Sequence, residues 1–90
     1  MTSPAIFSLV ADTWTIVATN VARCRVDVRD VRPKYVYTYV DTGQPAPTDD
    51  TYSLPIHNEC FIINVAANAD IYVKSIAAAG KVQASYGLIT

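Results

Sequence analysis

His57 and Cys60, in the run "PIHNEC", are the first residues of this chain whose types can do covalent chemistry. A thiol nucleophile needs an imidazole within hydrogen-bond reach and a third group, such as Glu59, to orient it. At a spacing of three in extended chain the two side chains point to opposite faces, so no pair forms locally. His57 therefore reads as a loop histidine at a strand entry, and Cys24 can approach it only through the fold. Asp41, Asp49 and Asp50 bracket a loop that would hold calcium if it curled. It lacks the spaced ladder of acids that such loops use, and reads as a solvated acidic loop. Gly43, Gly80 and Gly87 are isolated, so no phosphate cradle is written here. The residue pattern points away from an enzyme: it offers no catalytic residue, no cofactor site and no metal site.

Two polar patterns remain. In "RCRVDVR" (23–29), Arg23, Arg25 and Arg29 share one face with Asp27, while Cys24, Val26 and Val28 share the other. Guanidinium groups make bidentate bonds to carboxylates and are favoured at interfaces, so this face suits an acidic partner, or cross-strand acids of the chain itself. In "KYVYTYV" (34–40), Tyr35, Tyr37 and Tyr39 alternate with Val36, Thr38 and Val40. The smaller set is expected inside with Cys24, Val26 and Val28. That turns the tyrosines towards solvent, a second subunit or a sugar ring. Phe7, in the apolar N-terminal run, completes the candidate interface.

These residues must be positioned by a small framework. Ninety residues make one domain, with 51% hydrophobic and only 17% charged residues, against about 25% charged in an average chain. A small domain has proportionally much surface to solvate, so this shortage of charge points to self-association or docking on a larger assembly. The net charge of -1 argues against nucleic acid, whose phosphates require a basic excess. "AIFSLVA" (5–11) is too short for a membrane span, so no membrane partner is expected. Cys24 and Cys60 lie among strand-like residues, where a buried free thiol is the commoner state.

The dominant period is two. Strand signals run through "TWTIVA", "RCRVDVR", "KYVYTYV", "CFIINV", "DIYVKS" and "KVQASY". "TNVA" (19–22), "AANA" (66–69) and "IAAAG" (76–80) read as turns, "DVRP" (30–33) leads into the third strand, and "DTGQPAPTDD" (41–50) reads as a long exposed loop. Residues 1–12 are an N-terminal arm or edge segment, and 13–90 a single β domain. The expected fold is all-β: a small antiparallel sandwich or barrel of about six to seven short strands.

The segments "DTWTIVATNV", "RPKYVYTYVDTGQPAPTD" and "ADIYVKSIAAAGKVQASY" together resemble small β-rich virion proteins of tailed bacteriophages. The resemblance implies a structural part: a capsid decoration or cement protein, a head-fibre base or a tail accessory protein. It also implies a homo-oligomer, often a trimer, that contacts the major capsid protein or other virion proteins, and a closing hairpin over "DIYVK…GKV". It supplies no catalytic residue. The expected location is the virion, after synthesis in the host cytoplasm. A glycan-binding module using the tyrosines, and a small inhibitor of a host enzyme, are the rival expectations.

Overall fold

In a computed structural model that describes residues 5–30, 33–48, 54–56 and 60–86, the chain is all-β and antiparallel. Its strands are β1 (Ala5–Leu9), β2 (Thr15–Val28), β3 (Lys34–Asp41), β4 (Leu54–Ile56), β5 (Cys60–Ile76) and β6 (Gly80–Tyr86). They form one six-stranded sheet in the order β1-β6-β2-β5-β3-β4.

Two expected turns are strand interiors. "TNVA" lies inside β2 and "AANA" inside β5, so four expected strands merge into two long ones. The segment Ala5–Leu9 and the short β4 make up the number. Long strands in so small a protein must bend. Seventeen residues of straight strand would span about 56 Å at about 3.3 Å per residue, yet the longest dimension of the molecule is 36 Å.

The bend is visible in the ladder between β2 and β5. From Val21↔Ala69 to Arg23↔Asn64, β2 advances two residues while β5 advances five. Further register shifts lie between Ile16 and Ala18 and between Ala18 and Val21. Asn20, at φ 56°, sits within this stretch; asparagine tolerates the left-handed region better than other non-glycine residues, so it suits a bulge as well as a turn.

The bends fold the sheet over on itself. Tyr35 of β3 reaches β6, three strands away in the sheet order: the Lys81 N–H donates to its hydroxyl at 3.2 Å. Leu9, Val17, Cys24, Val26, Tyr35, Ile71, Val73, Val82 and Ala84 form one core between the two halves. The chain is thus a sandwich built from one continuous sheet.

The pairing is nested, with β1 on β6, β2 on β5 and β3 on β4. A jelly roll also nests its strand pairs, but divides eight strands between two sheets where this chain has one. The hairpin expected over "DIYVK…GKV" does not form, because β2 lies between β5 and β6. The segment after Ile76 instead carries the chain from one half of the fold to the other. It turns at Ala77 (φ 66°), whose N–H donates to Asp12 Oδ1 at 3.0 Å, while the Asp12 N–H donates to the Ser75 carbonyl at 2.8 Å. The loop after β3 starts as expected. Gln44 N–H donates to Asp41 O at 3.0 Å, with Gly43 at φ 92°, the third position of a type II turn.

Candidate interaction surface

The second half of β2 behaves as its alternation predicts. Cys24 and Val26 are buried and Val28 packs against the core, while Arg23, Arg25 and Arg29 are exposed on the outer face. Beside them runs β6, with Arg25 opposite Ser85, Asp27 opposite Gln83 and Val28 opposite Val82.

Arg25 and Arg29 are held by an intra-strand and an uncharged partner, respectively. Arg25 Nε lies 3.2 Å from Asp27 Oδ1, an ion pair along one strand rather than across two. The Arg25 side chain is 58% exposed and Asp27 23%, so the pair contributes no more than about 1 kcal/mol. Its effect is to set the direction of the guanidinium. Arg29 donates from Nε to Gln83 Oε1 at 3.0 Å and also from Nη2 to the same oxygen. Among the described residues Arg29 meets the amide of Gln83 rather than a carboxylate, and the residue is exposed. The result is an ordered basic row on an outer sheet face, with Asp27 as its acidic counterpart.

The tyrosine row requires correction. Tyr35 is buried at 4% exposure, Tyr37 is half-buried against the core, and only Tyr39 is open, at 48%. The reason is register: β3 pairs with β5 so that Tyr35 lies opposite Ser75, Tyr37 opposite Val73 and Tyr39 opposite Ile71. Ile71, Val73 and Ser75 are all fully buried, and paired residues share a face. Room for the Tyr35 ring comes from Gly80 beside it. The expected inner set, Val36, Thr38 and Val40, lies on the reverse face with Lys74, Tyr72 and Asp70. That face is largely covered too. Thr38, Tyr72, Lys74 and Asp70 are buried, and Lys74 Nζ sits 4.9 Å from the centre of the Trp14 ring.

Phe7 also moves inward. It pairs with the fully buried Val82 and packs against the core, which leaves its neighbour Ile6 exposed. Ile6, Val10 and Ile16 are exposed hydrophobic residues that lie outside the candidate interface expected from the sequence. A run such as "AIFSL" is apolar on both faces, and its phase becomes legible only through the register with β6. The expectations for His57, Glu59, Asp49 and Asp50 concern residues outside the described ones.

Cys24 is a buried free thiol. Burial pushes its pKa up to about 11, against a smaller opposing effect of the backbone hydrogen bond at Ser85. Only the thiolate is a nucleophile, so this group is inert at neutral pH. The same shift ties stability to alkaline pH. The folded pKa lies above the unfolded value of 9.0, so the folded state holds the proton more tightly. Stability from this group is complete below pH 9 and falls as pH rises towards 11, by about 2–3 kcal/mol. Native protein is expected to resist a thiol-specific alkylating reagent at Cys24 at pH 7 and to label there in urea. Denaturant titrations at pH 8, 9, 10 and 11 on the wild type and Cys24→Ala check the linkage, since the alanine variant lacks this component of the alkaline loss. Rapid native alkylation of Cys24 would contradict it.

The fold and its surfaces define a small antiparallel β domain with an ordered basic face and an apolar edge. Comparison with protein-family models, curated proteins and solved structures finds no match to this chain.

Proposed function

We propose that this chain is a non-enzymatic structural protein of a virion, a capsid decoration or cement component that docks as a small oligomer. The observation that carries the reading is the basic row of Arg23, Arg25 and Arg29 on an outer sheet face. Arg23 and Arg25 stand on β2 and Arg29 just beyond its end, with Arg25 oriented by Asp27 and Arg29 by Gln83. Such a face suits an acidic surface on the major capsid protein, where guanidinium–carboxylate pairs fix register. The nested strand order supports the reading at the level of fold only, since jelly rolls serve capsid and lectin domains alike. Glycan stacking loses its basis, because Tyr35 and Tyr37 belong to the core and leave Tyr39 as the one open tyrosine of the row.

The test is reconstitution. Particles assembled without the chain are mixed with purified protein, and the bound fraction is measured against salt. Wild type is expected to bind stoichiometrically and to raise particle stability to heat. Arg23→Ala/Arg25→Ala/Arg29→Ala is expected to bind at least about tenfold more weakly while keeping its fold, since exposed charges contribute little to stability. Absence of the chain from purified virions, or equal binding by the triple variant, overturns the proposal.

A further inference from the structure

The sheet has two edges, and they differ. At one, β4 is three residues long and carries Pro55, which has no N–H to offer a further strand. At the other, β1 is the run "AIFSL", with neither charge nor proline, paired with β6 on one side only among the described residues. Natural sheets blunt such edges with lysine, proline or a bulge. This one does the reverse. Of the four large hydrophobic residues exposed among the described ones, Ile6 (60%) lies in β1 and Val10 (67%) directly follows it.

We infer that β1 is a self-association edge, where it pairs antiparallel with β1 of a second copy to join two sheets across a two-fold axis. The inference rests on the self-association part of the proposed function and names its surface. Three observations select a second copy as the occupant.

The first is charge. Any two-fold register within Ala5–Leu9 sets uncharged residues against uncharged residues, so no like charges meet across the new ladder. The nearest charge on the same face is Lys81, one strand inward and opposite Ser8. The two Lys81 side chains would start three strand spacings apart, about 14 Å, beyond the screening length of about 8 Å at physiological salt.

The second is closure. Head-to-tail addition of β1 to the β4 edge is hindered at Pro55, so the contact consumes the open edge of both copies and stops at two. This assigns the oligomer a two-fold unit in place of the trimer implied by the resemblance. The third is the position of Ile6, which stands outward between the core-facing Phe7 and the start of the strand. The joined sheet would give it a cross-strand neighbour on its open side and remove part of its apolar surface from water, whereas in an isolated chain it is 60% exposed.

Sedimentation equilibrium of the purified full chain tests the inference without any particle. Wild type is expected to approach twice 9.8 kDa as concentration rises to about 100 µM. Ile6→Lys, at an exposed position, is expected to fold and to weaken dimerisation at least tenfold. Tyr39→Lys, at an exposed position on β3, leaves the dimer unchanged. Amide exchange at β1 should slow with concentration in the wild type and not in Ile6→Lys. A wild-type monomer at the highest concentration, or an oligomer whose mass Ile6→Lys does not alter, overturns the inference. Because the measurement uses the chain alone, failure to bind capsids would leave its outcome intact.

Discussion

Gly80→Ala is expected to destabilise the protein by about 2–3 kcal/mol, the upper range for overpacking a closed core. A methyl group at residue 80 would stand 2.7 Å from Cε1 and 2.9 Å from Cζ of Tyr35, and would overlap its hydroxyl oxygen. Real side-chain contacts at such distances do not persist, so something must move. Tyr35 cannot swing away cheaply. Its ring is buried, and its hydroxyl donates to the Asp30 carbonyl and accepts from the Lys81 N–H. Those two bonds tie the end of β2 and the start of β6 to β3, which is the point where the folded sheet closes. A domain of 90 residues has on the order of 5–13 kcal/mol to lose, and the melting temperature should drop by roughly 10–20 °C.

A double-mutant cycle makes the mechanism testable. Tyr35→Phe alone should cost about 1–2 kcal/mol through the two lost hydrogen bonds. Gly80→Ala in that background should cost less than in the wild type, because the overlapping oxygen is gone. Relief is partial, since the two ring carbons remain close. Urea denaturation of the four proteins reads the coupling. Strict additivity would mean that the methyl group and the hydroxyl do not meet.

This closure was not legible in the sequence, and the reason is physical. Alternation fixes which residues share a face, but not which face is the core. That choice is set by register with the neighbouring strand, and a one-residue change of phase exchanges the two sets. In β2 the phase could be read, because arginine and aspartate on one side leave Cys24, Val26 and Val28 only the interior. In β3 both sets are apolar enough to be buried, and bulk alone misled. Tyrosine entered the core because Gly80 and Ser75 leave room beside Tyr35. The same ambiguity exchanged Phe7 for Ile6 in β1.

The merged strands have a related cause. Asn20 and the alanines of "AANA" suit a turn and a bulge equally, and local chemistry does not distinguish them. What decides is whether a partner strand continues past the irregularity. Here β2 and β5 continue past it together. The all-β class, the antiparallel pairing, the exposed loop after β3 and the outward arginines were all available from period and charge. The nested order was not, because only one of the five sequence-adjacent strand pairs, β3 with β4, is also a sheet pair.

Asp70→Ala is expected to cost about 2–4 kcal/mol, from loss of a charged hydrogen bond and the burial of unpaired groups. Asp70 lies within β5 between buried Ala69 and Ile71, at a place where β-propensity disfavours aspartate. Its carboxylate oxygen Oδ1 accepts from the Asn20 N–H at 3.0 Å and from Thr42 Oγ1 at 3.3 Å. Asn20 is the left-handed residue of the β2 bulge, and Thr42 is the first residue beyond β3. One oxygen therefore joins the bend of β2, the middle of β5 and the loop after β3.

The bend is where this acid is needed. A residue at φ 56° falls out of the ladder, and its N–H must find another acceptor if it is not to be left unpaired. Asp70 supplies that acceptor, and so lets a 14-residue strand turn without losing the hydrogen bond. Asp70→Asn keeps an acceptor oxygen and should cost about half as much as alanine. Asn20→Gly keeps both the backbone donor and the left-handed backbone, and should change stability by less than about 1 kcal/mol. Thr42→Ala removes the weaker bond and should cost less than either Asp70 change. Amide exchange supplies the decisive readout. The Asn20 N–H should be protected in the wild type and in Asp70→Asn, but should exchange much faster in Asp70→Ala under strongly native conditions. If Asp70→Ala retains both wild-type stability and Asn20 protection, the carboxylate does not hold the bend, and the register shifts alone must account for it.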